Sequence, residues 1–218
     1  MKTLARSFAL LLCAATFANA DWILVQKTTA DGQEKEMTTK IKGESARVDI
    51  GPEMSAIMGA DGMTMLMHQQ KMMMKMDLAA VKAATEMAAK MAGGAAGQAV
   101  AKPVATGENE KIGEWNTEIF TWEGQMGKGR FWVAKDFPKF AEINALNDKL
   151  SKTMGNPAAS IAPQASDFNG MVVKSEMTMM GKNITTLLVS AKEANVDAKE
   201  FTAPEGYNEM KMPTMPQK

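Results

Sequence analysis

Gly62-Met63-Thr64-Met65-Leu66-Met67-His68-Gln69-Gln70-Lys71-Met72-Met73-Met74-Lys75-Met76 is the stretch on which the fold turns. Strict alternation on either side of a polar pair is the pattern of two strands joined by a hairpin. With Gln69-Gln70 in a two-residue turn, Met67 faces Met72, Met65 faces Met74 and Met63 faces Met76. All six side chains then share one side of the ribbon. Thr64, Leu66, His68, Lys71, Met73 and Lys75 take the other. A slip of one residue would put Lys71 and Lys75 beside Met63, Met65 and Met67, so burial of an apolar face selects the first register.

The pattern continues on both sides. Upstream, Trp22 to Thr29, Glu34 to Lys42, Ala46 to Ile50 and Met54 to Met58 read as strands separated by Asp31-Gly32 and Gly43. Together with the hairpin they form a meander of about six strands. Downstream, Asp77 caps a helix whose buried stripe is Leu78, Val81, Ala84, Ala88 and Met91, ended by Gly93-Gly94. Gly93 to Gly107 reads as a loop. Strands return at Glu114 to Trp122 and Gly129 to Lys135. A second helix is capped by Asp136, carries Pro138 in its first turn and buries Phe140, Ile143, Leu146 and Leu150. Met171 to Met180 and Asn183 to Ala191 form a last hairpin, with Met177 and Met179 on one face. The tail from Pro204 is irregular. The expected fold is α+β: a large curved antiparallel sheet, an incomplete barrel, with helices covering its concave face.

The N-terminus is an address. Lys2 and Arg6 precede an apolar run from Phe8 to Phe17, and Ala18-Asn19-Ala20 offers small residues to a signal peptidase. Residues 1–20 are expected to leave as a signal peptide, and 21–218 to form a single domain. Leu12 before Cys13 is wrong for lipid attachment, so the product is expected to be periplasmic or secreted and not lipidated. No later run is long and apolar enough to span a bilayer as a helix.

The 218 residues carry 25 Lys+Arg and 25 Asp+Glu, so nothing favours nucleic acid as a partner. Losing Lys2 and Arg6 leaves 23 basic residues against 25 acidic, a charge of −2. One His and one Cys, the latter inside the signal, argue against zinc sites and Cys-His nucleophiles. No nucleophile elbow accompanies His68, which is expected to be solvent-exposed beside its turn. Gly124, Gly127 and Gly129 lead into a strand, not a helix, and read as a hairpin turn, not a phosphate loop. Asp197, Lys199 and Glu200 read as a solvated edge. Trp22, Trp115, Trp122 and Trp132 are expected to pack in the sheet. The reading is non-enzymatic, with no cofactor.

What remains is methionine, 22 residues in all. An unbranched, polarizable thioether fits varied shapes, whereas a sharply specified core uses Ile, Leu and Phe. Burying six such chains is worth roughly 9–18 kcal/mol before side-chain entropy. Four readings stay open: a plain core; a pliable cavity for an apolar ligand such as a lipid, an acyl chain or a lipid-modified protein; thioether ligands for Cu(I); and sacrificial oxidation. The second is the expected function. Met63, Met65, Met67, Met72, Met74 and Met76 are its binding residues, Met177 and Met179 secondary ones, and a membrane-associated protein is a conceivable partner. A local His-Met₂ copper site is geometrically poor, because His68 faces away from Met65 and Met67.

Lys111-Ile112-Gly113-Glu114-Trp115-Asn116-Thr117-Glu118-Ile119-Phe120, Gly129-Arg130-Phe131-Trp132-Val133-Ala134-Lys135-Asp136-Phe137-Pro138 and the late Pro204-Glu205-Gly206-Tyr207 resemble a bacterial exported family. It is the domain-of-unknown-function family numbered 4412, and the resemblance covers most of residues 45–213. That family is similar in turn to Lol-type lipoprotein carriers and periplasmic lipid-binding proteins. The resemblance implies an incomplete antiparallel barrel closed by helices around an apolar cavity, and it supplies no catalytic residues.

Overall fold

A computed structural model describes residues 21–80, 83, 100–124, 127–153, 162–179 and 181–210. The expected signal segment lies outside them. Six strands open the chain: β1 (Asp21–Ala30), β2 (Gln33–Lys42), β3 (Ser45–Ile50), β4 (Met54–Gly59), β5 (Gly62–Met67) and β6 (Met72–Asp77). Each pairs antiparallel with the next, as the alternation requires. At the first turn Asp31 and Gly32 have φ of 51° and 77°. Two successive positive angles match the right-handed twist of the flanking strands, which is why this dipeptide makes a tight hairpin.

A second run comprises β7 (Val104–Ile112), β8 (Trp115–Gly124), β9 (Gly127–Ala134), β10 (Met171–Met179) and β11 (Lys182–Ala194). These too pair in sequence. The two runs fuse through β1 and β11, aligned from Asp21↔Ala194 to Ala30↔Ile184 with one irregularity at Val25/Gln26. A short strand β12 (Asn208–Glu209) adds in parallel to β6. The result is one twelve-stranded sheet in the order β12-β6-β5-β4-β3-β2-β1-β11-β10-β9-β8-β7. It is open, with β7 at one edge and β12 beside β6 at the other.

The expectation of helices covering a concave face is overturned. The helix α1 (Phe140–Thr153) is about 21 Å long at 1.5 Å per residue, while twelve strands at about 4.8 Å spacing extend over roughly 50 Å. It starts later than Asp136 and Pro138 suggest, because Lys139 takes φ 51° and its carbonyl accepts from the amides of Glu142 and Ile143. Ile143 is buried, but the neighbouring Asn144 and Asp148 serve a loop and not the sheet. Asn144 donates to the carbonyls of Ala165 and Gly170, and the Asp148 carboxylate accepts from the amides of Ala165 and Ser166. The side chains of Leu146 and Leu150 lie outside the described residues. So does most of the first expected helix: Asp77 does cap it, accepting from the Ala80 amide at 2.7 Å, but residues 81–82 and 84–99 are not described. Leu78, which opens its stripe, is 53% exposed. Among the described residues the chain is therefore mostly one β-sheet, with α1 and the first turn of a helix after Asp77 as short additions. No helix there is long and apolar enough to cross a membrane.

The core falls into three groups. Trp22, Leu24, Ile41, Ile119, Trp132, Phe137, Ile143, Val173 and Leu188 join β1 and β2 to the second run. Phe120, Trp122, Phe131, Val133 and Phe168 fill one face of β8–β10, with Met177 and Met179 packed against them. Ala46, Val48, Ala56, Met58 and Met63 form the third, within β3–β5. The tryptophans pack in the sheet as expected, Trp115 only partly buried. The Trp132 indole also donates to Glu110 at 2.6 Å and lies under the Lys174 ammonium.

Candidate functional site: the methionine face and its polar reverse

The hairpin register is Met63↔Met76, Met65↔Met74 and Met67↔Met72, as the alternation requires. Gly62 permits it: its φ is 138°, and a Cβ there would collide with the carbonyl oxygen of Met76. At the other end the Lys71 amide donates to the His68 carbonyl at 3.3 Å, with Lys71 at φ 49°.

The face is larger than the hairpin. No irregularity interrupts β2 to β6, so cross-strand partners form three straight rows. One is Met37–Ile50–Met54–Met67–Met72. The next is Thr39–Val48–Ala56–Met65–Met74. The third is Ile41–Ala46–Met58–Met63–Met76. Nine of these fifteen positions are methionine, and Thr39 alone is polar. Burial is graded across the rows. In the third row Ile41, Ala46, Met58 and Met63 are buried, Met63 to 7% exposure. In the first row all five side chains are half-buried. The face thus passes from core at one corner to accessible apolar surface along the Met37–Met72 row.

The six expected hairpin methionines and the two secondary ones lie in different parts of the sheet. The six of the hairpin share a face, but Met177 and Met179 sit on β10 in the Phe131–Phe168 group, with five strands between β10 and β5. Met63 and Met76 border a cleft of about 380 Å³ beside the β4–β5 turn. Met177 borders an open cleft of about 820 Å³ at the end of β8–β11, together with Trp122, Lys128, Arg130 and Ile184.

Sequence reasoning missed the reverse side of the same strands. Ser55, 2% exposed, donates its hydroxyl proton to Asp49 Oδ1 at 2.5 Å. Its oxygen lies 2.6 Å from His68 Nε2 and accepts from an Arg47 terminal nitrogen at 3.2 Å. The other His68 nitrogen, Nδ1, is 2.6 Å from the Tyr207 hydroxyl, and the two rings meet edge to face. The proton count assigns the roles. With its own proton on Asp49, Ser55 can only accept from His68, so Nε2 carries a hydrogen; in that tautomer of the neutral imidazole Nδ1 accepts from the Tyr207 hydroxyl. A serine nucleophile needs the reverse, an Nε2 free to take the hydroxyl proton. This is a closed structural network, and His68 is half-buried within it, not solvent-exposed. Both ring nitrogens are engaged.

The network fastens the segment from Glu200 to Met210. Arg47 donates to Asp49 at 2.6 Å and to the Glu200 carbonyl at 3.2 Å, and Lys40 pairs with the Glu200 carboxylate at 2.9 Å. Glu200 is thus a tether and not a solvated edge. Burial alone would raise the Asp49 carboxyl. Hydrogen bonds from Ser55 and Arg47, with the charges of Arg47 and Lys40, outweigh it and hold the group below the usual carboxylate range. Past Gly206, at φ 80°, Tyr207 reaches His68, the Asn208 amide donates to Lys71 and the Met210 amide donates to Met73. As far as Met210, the last described residue, the tail read as irregular is therefore a strap along β6, and its signal was the Pro204-Glu205-Gly206-Tyr207 motif itself.

The sheet has a counterpart among solved structures. A crystal structure of an uncharacterized conserved protein from Thermus thermophilus is similar at a TM-score of 0.50 and 9% identity, covering 88% of this chain and 90% of that one. At this identity the likeness is one of fold. The lipoprotein LppX of Mycobacterium tuberculosis has a TM-score of 0.41 and 10% identity over 82% of this chain and 91% of its own. PNGF-II gives 0.42 and 10% identity, and here the chain covers 89% of its own length but only 31% of that protein. No curated protein matches the sequence. The model of one family, described as Domain of unknown function (DUF4412), matches residues 21–207, and the chain belongs to that family.

Proposed function

We propose that this chain is an exported, non-catalytic protein that holds an apolar ligand, a lipid or acyl chain, against its methionine face. The observation that carries the reading is the graded grid of β2–β6, and above all the half-buried Met37–Ile50–Met54–Met67–Met72 row. A contiguous apolar surface left partly open to water is a binding surface by default. Completing the burial of five such side chains is worth about 1 kcal/mol each, since full burial of one gives roughly 1.5–3 kcal/mol. Methionine suits a guest of variable shape, because its three rotatable bonds repack at low cost. Binding is passive: the thioethers rearrange around the guest, and release follows when a partner offers better burial.

The test is native mass spectrometry of protein purified from a periplasm, followed by delipidation and titration with a fluorescent fatty acid. A co-purifying lipid and saturable rebinding are expected. A delipidated protein that neither binds the probe nor gains thermal stability from lipid refutes the proposal.

A further inference from the structure

The apolar reading explains why the face is greasy; it does not explain why it is sulfur-rich. Strands favour β-branched and aromatic side chains, and methionine is not among them. Leucine has nearly the same volume and substitutes for methionine at little cost in most cores. What methionine has and leucine lacks is a thioether, a neutral and soft donor.

The register concentrates these donors. Met54, Met67 and Met72 occupy one row on three adjacent strands, β4, β5 and β6, without a bulge between them. Directly opposed side chains in such pairs start about 4.5–5.5 Å apart at Cβ. The central Met67 has a methionine on each side, and the flexible flanking chains can bring their sulfurs onto a common point above it. Met65 and Met74, paired in the next row, stand beside that point as further donors. All five are half-buried, so a cation reaches them without unfolding the sheet. In the parallel trio Met58–Met63–Met76, which borders the cleft beside the β4–β5 turn, Met58 and Met63 are themselves buried.

A ligand set of neutral thioethers selects sharply. Hard cations such as Mg²⁺ and Ca²⁺ want oxygen, and zinc wants imidazole or thiolate. Soft monovalent cations accept thioethers. We propose that Met54, Met67 and Met72 form a binding site for a soft monovalent cation, Cu(I) or Ag(I). The site needs no histidine. His68 points to the reverse face with both nitrogens occupied by Ser55 and Tyr207.

The experiment is an anaerobic competition for Cu(I) between the whole mature chain and a chromogenic chelator, with sulfur coordination read by X-ray absorption. The wild type is expected to withdraw one equivalent at micromolar chelator and to show an all-sulfur first shell. Met67→Leu keeps the apolar surface and the fold, checked by its urea midpoint, and is expected to weaken binding at least tenfold. Met73→Leu, next in sequence to Met72 but on the opposite face, is expected to bind as the wild type does. Failure to withdraw the metal, nitrogen ligands in the absorption spectrum, or a Met67→Leu variant with unchanged affinity would each overturn the site. Fatty-acid binding by the metal-free wild type is read in parallel, so that failure of the metal site and failure of the apolar reading are told apart.

Discussion

Replacing Tyr207 by phenylalanine removes one oxygen and leaves the ring, so the edge-to-face contact with His68 is kept while the 2.6 Å hydrogen bond to Nδ1 is lost. A typical hydrogen bond contributes about 1 kcal/mol net, and a partner left unsatisfied in a buried place costs about 1–3 kcal/mol. His68 is half-buried, so water reaches Nδ1 part of the time and the lower end applies. A loss of about 1–1.5 kcal/mol is expected, a fall of about 3–5 °C in Tm for a domain of this size. The urea midpoint gives the global figure. Hydrogen exchange gives the local one: the amides of Asn208 and Met210, which donate to Lys71 and Met73, should exchange faster because the strap lifts before the sheet opens. Ser55→Ala should couple to Tyr207→Phe in a double-mutant cycle by more than about 0.5 kcal/mol, since His68 bridges the two. Unchanged stability, unchanged exchange at Asn208 and strict additivity would refute the network as the fastening of the segment from Glu200 to Met210.

Further outcomes follow from the same geometry. Gly62→Ala forces a β-carbon against the Met76 carbonyl at φ 138°, and should cost about 2 kcal/mol or more in chemical denaturation. Met65→Asp puts a short charge on the half-buried apolar face and should cost about 2 kcal/mol. Thr64→Asp, one residue away on the reverse face opposite Lys75, should stay within about 1 kcal/mol; equal costs would contradict the two-faced reading of β5. The Asp49 carboxyl is held below its unfolded value, so its contribution to stability is complete above about pH 4, the unfolded value, and is lost as pH falls through the lower folded value. In Asp49→Asn the acid-induced loss of stability below about pH 4 should be shallower than in the wild type.

Much of this sheet was legible because its period is two and its turns are marked. The hairpin register could be read from Lys71 and Lys75, since a slip of one residue would have placed charge on the methionine side. Other elements were hidden for physical reasons. β7 is an edge strand, exposed along nearly all its length, with Glu108, Glu110 and Lys111 on it and an irregular stretch between Ala105 and Asn109; with no apolar alternation it reads as loop. β12 is two residues long and is held by Tyr207 and by the carbonyls of Lys71 and Met73, so no run of alternation marks it. The helix α1 looked like a sheet cover because Phe140 and Ile143 have helical spacing, but spacing does not say how far a helix reaches. The Ser55–His68–Tyr207 chain joins residues up to 152 positions apart, and no local pattern announces it. The fusion of the two runs through β1 and β11 is likewise a long-range pairing.

The central claim is that an apolar guest lies on the Met37–Met72 row. Methyl-¹³C-methionine spectra of the delipidated protein, titrated with a fatty acid, test it directly. The methyl signals of Met54, Met67 and Met72 should shift saturably together, while that of Met171, buried in the other half of the sheet, stays in place. A titration in which those three do not move, or in which only Met177 and Met179 respond, would contradict the account.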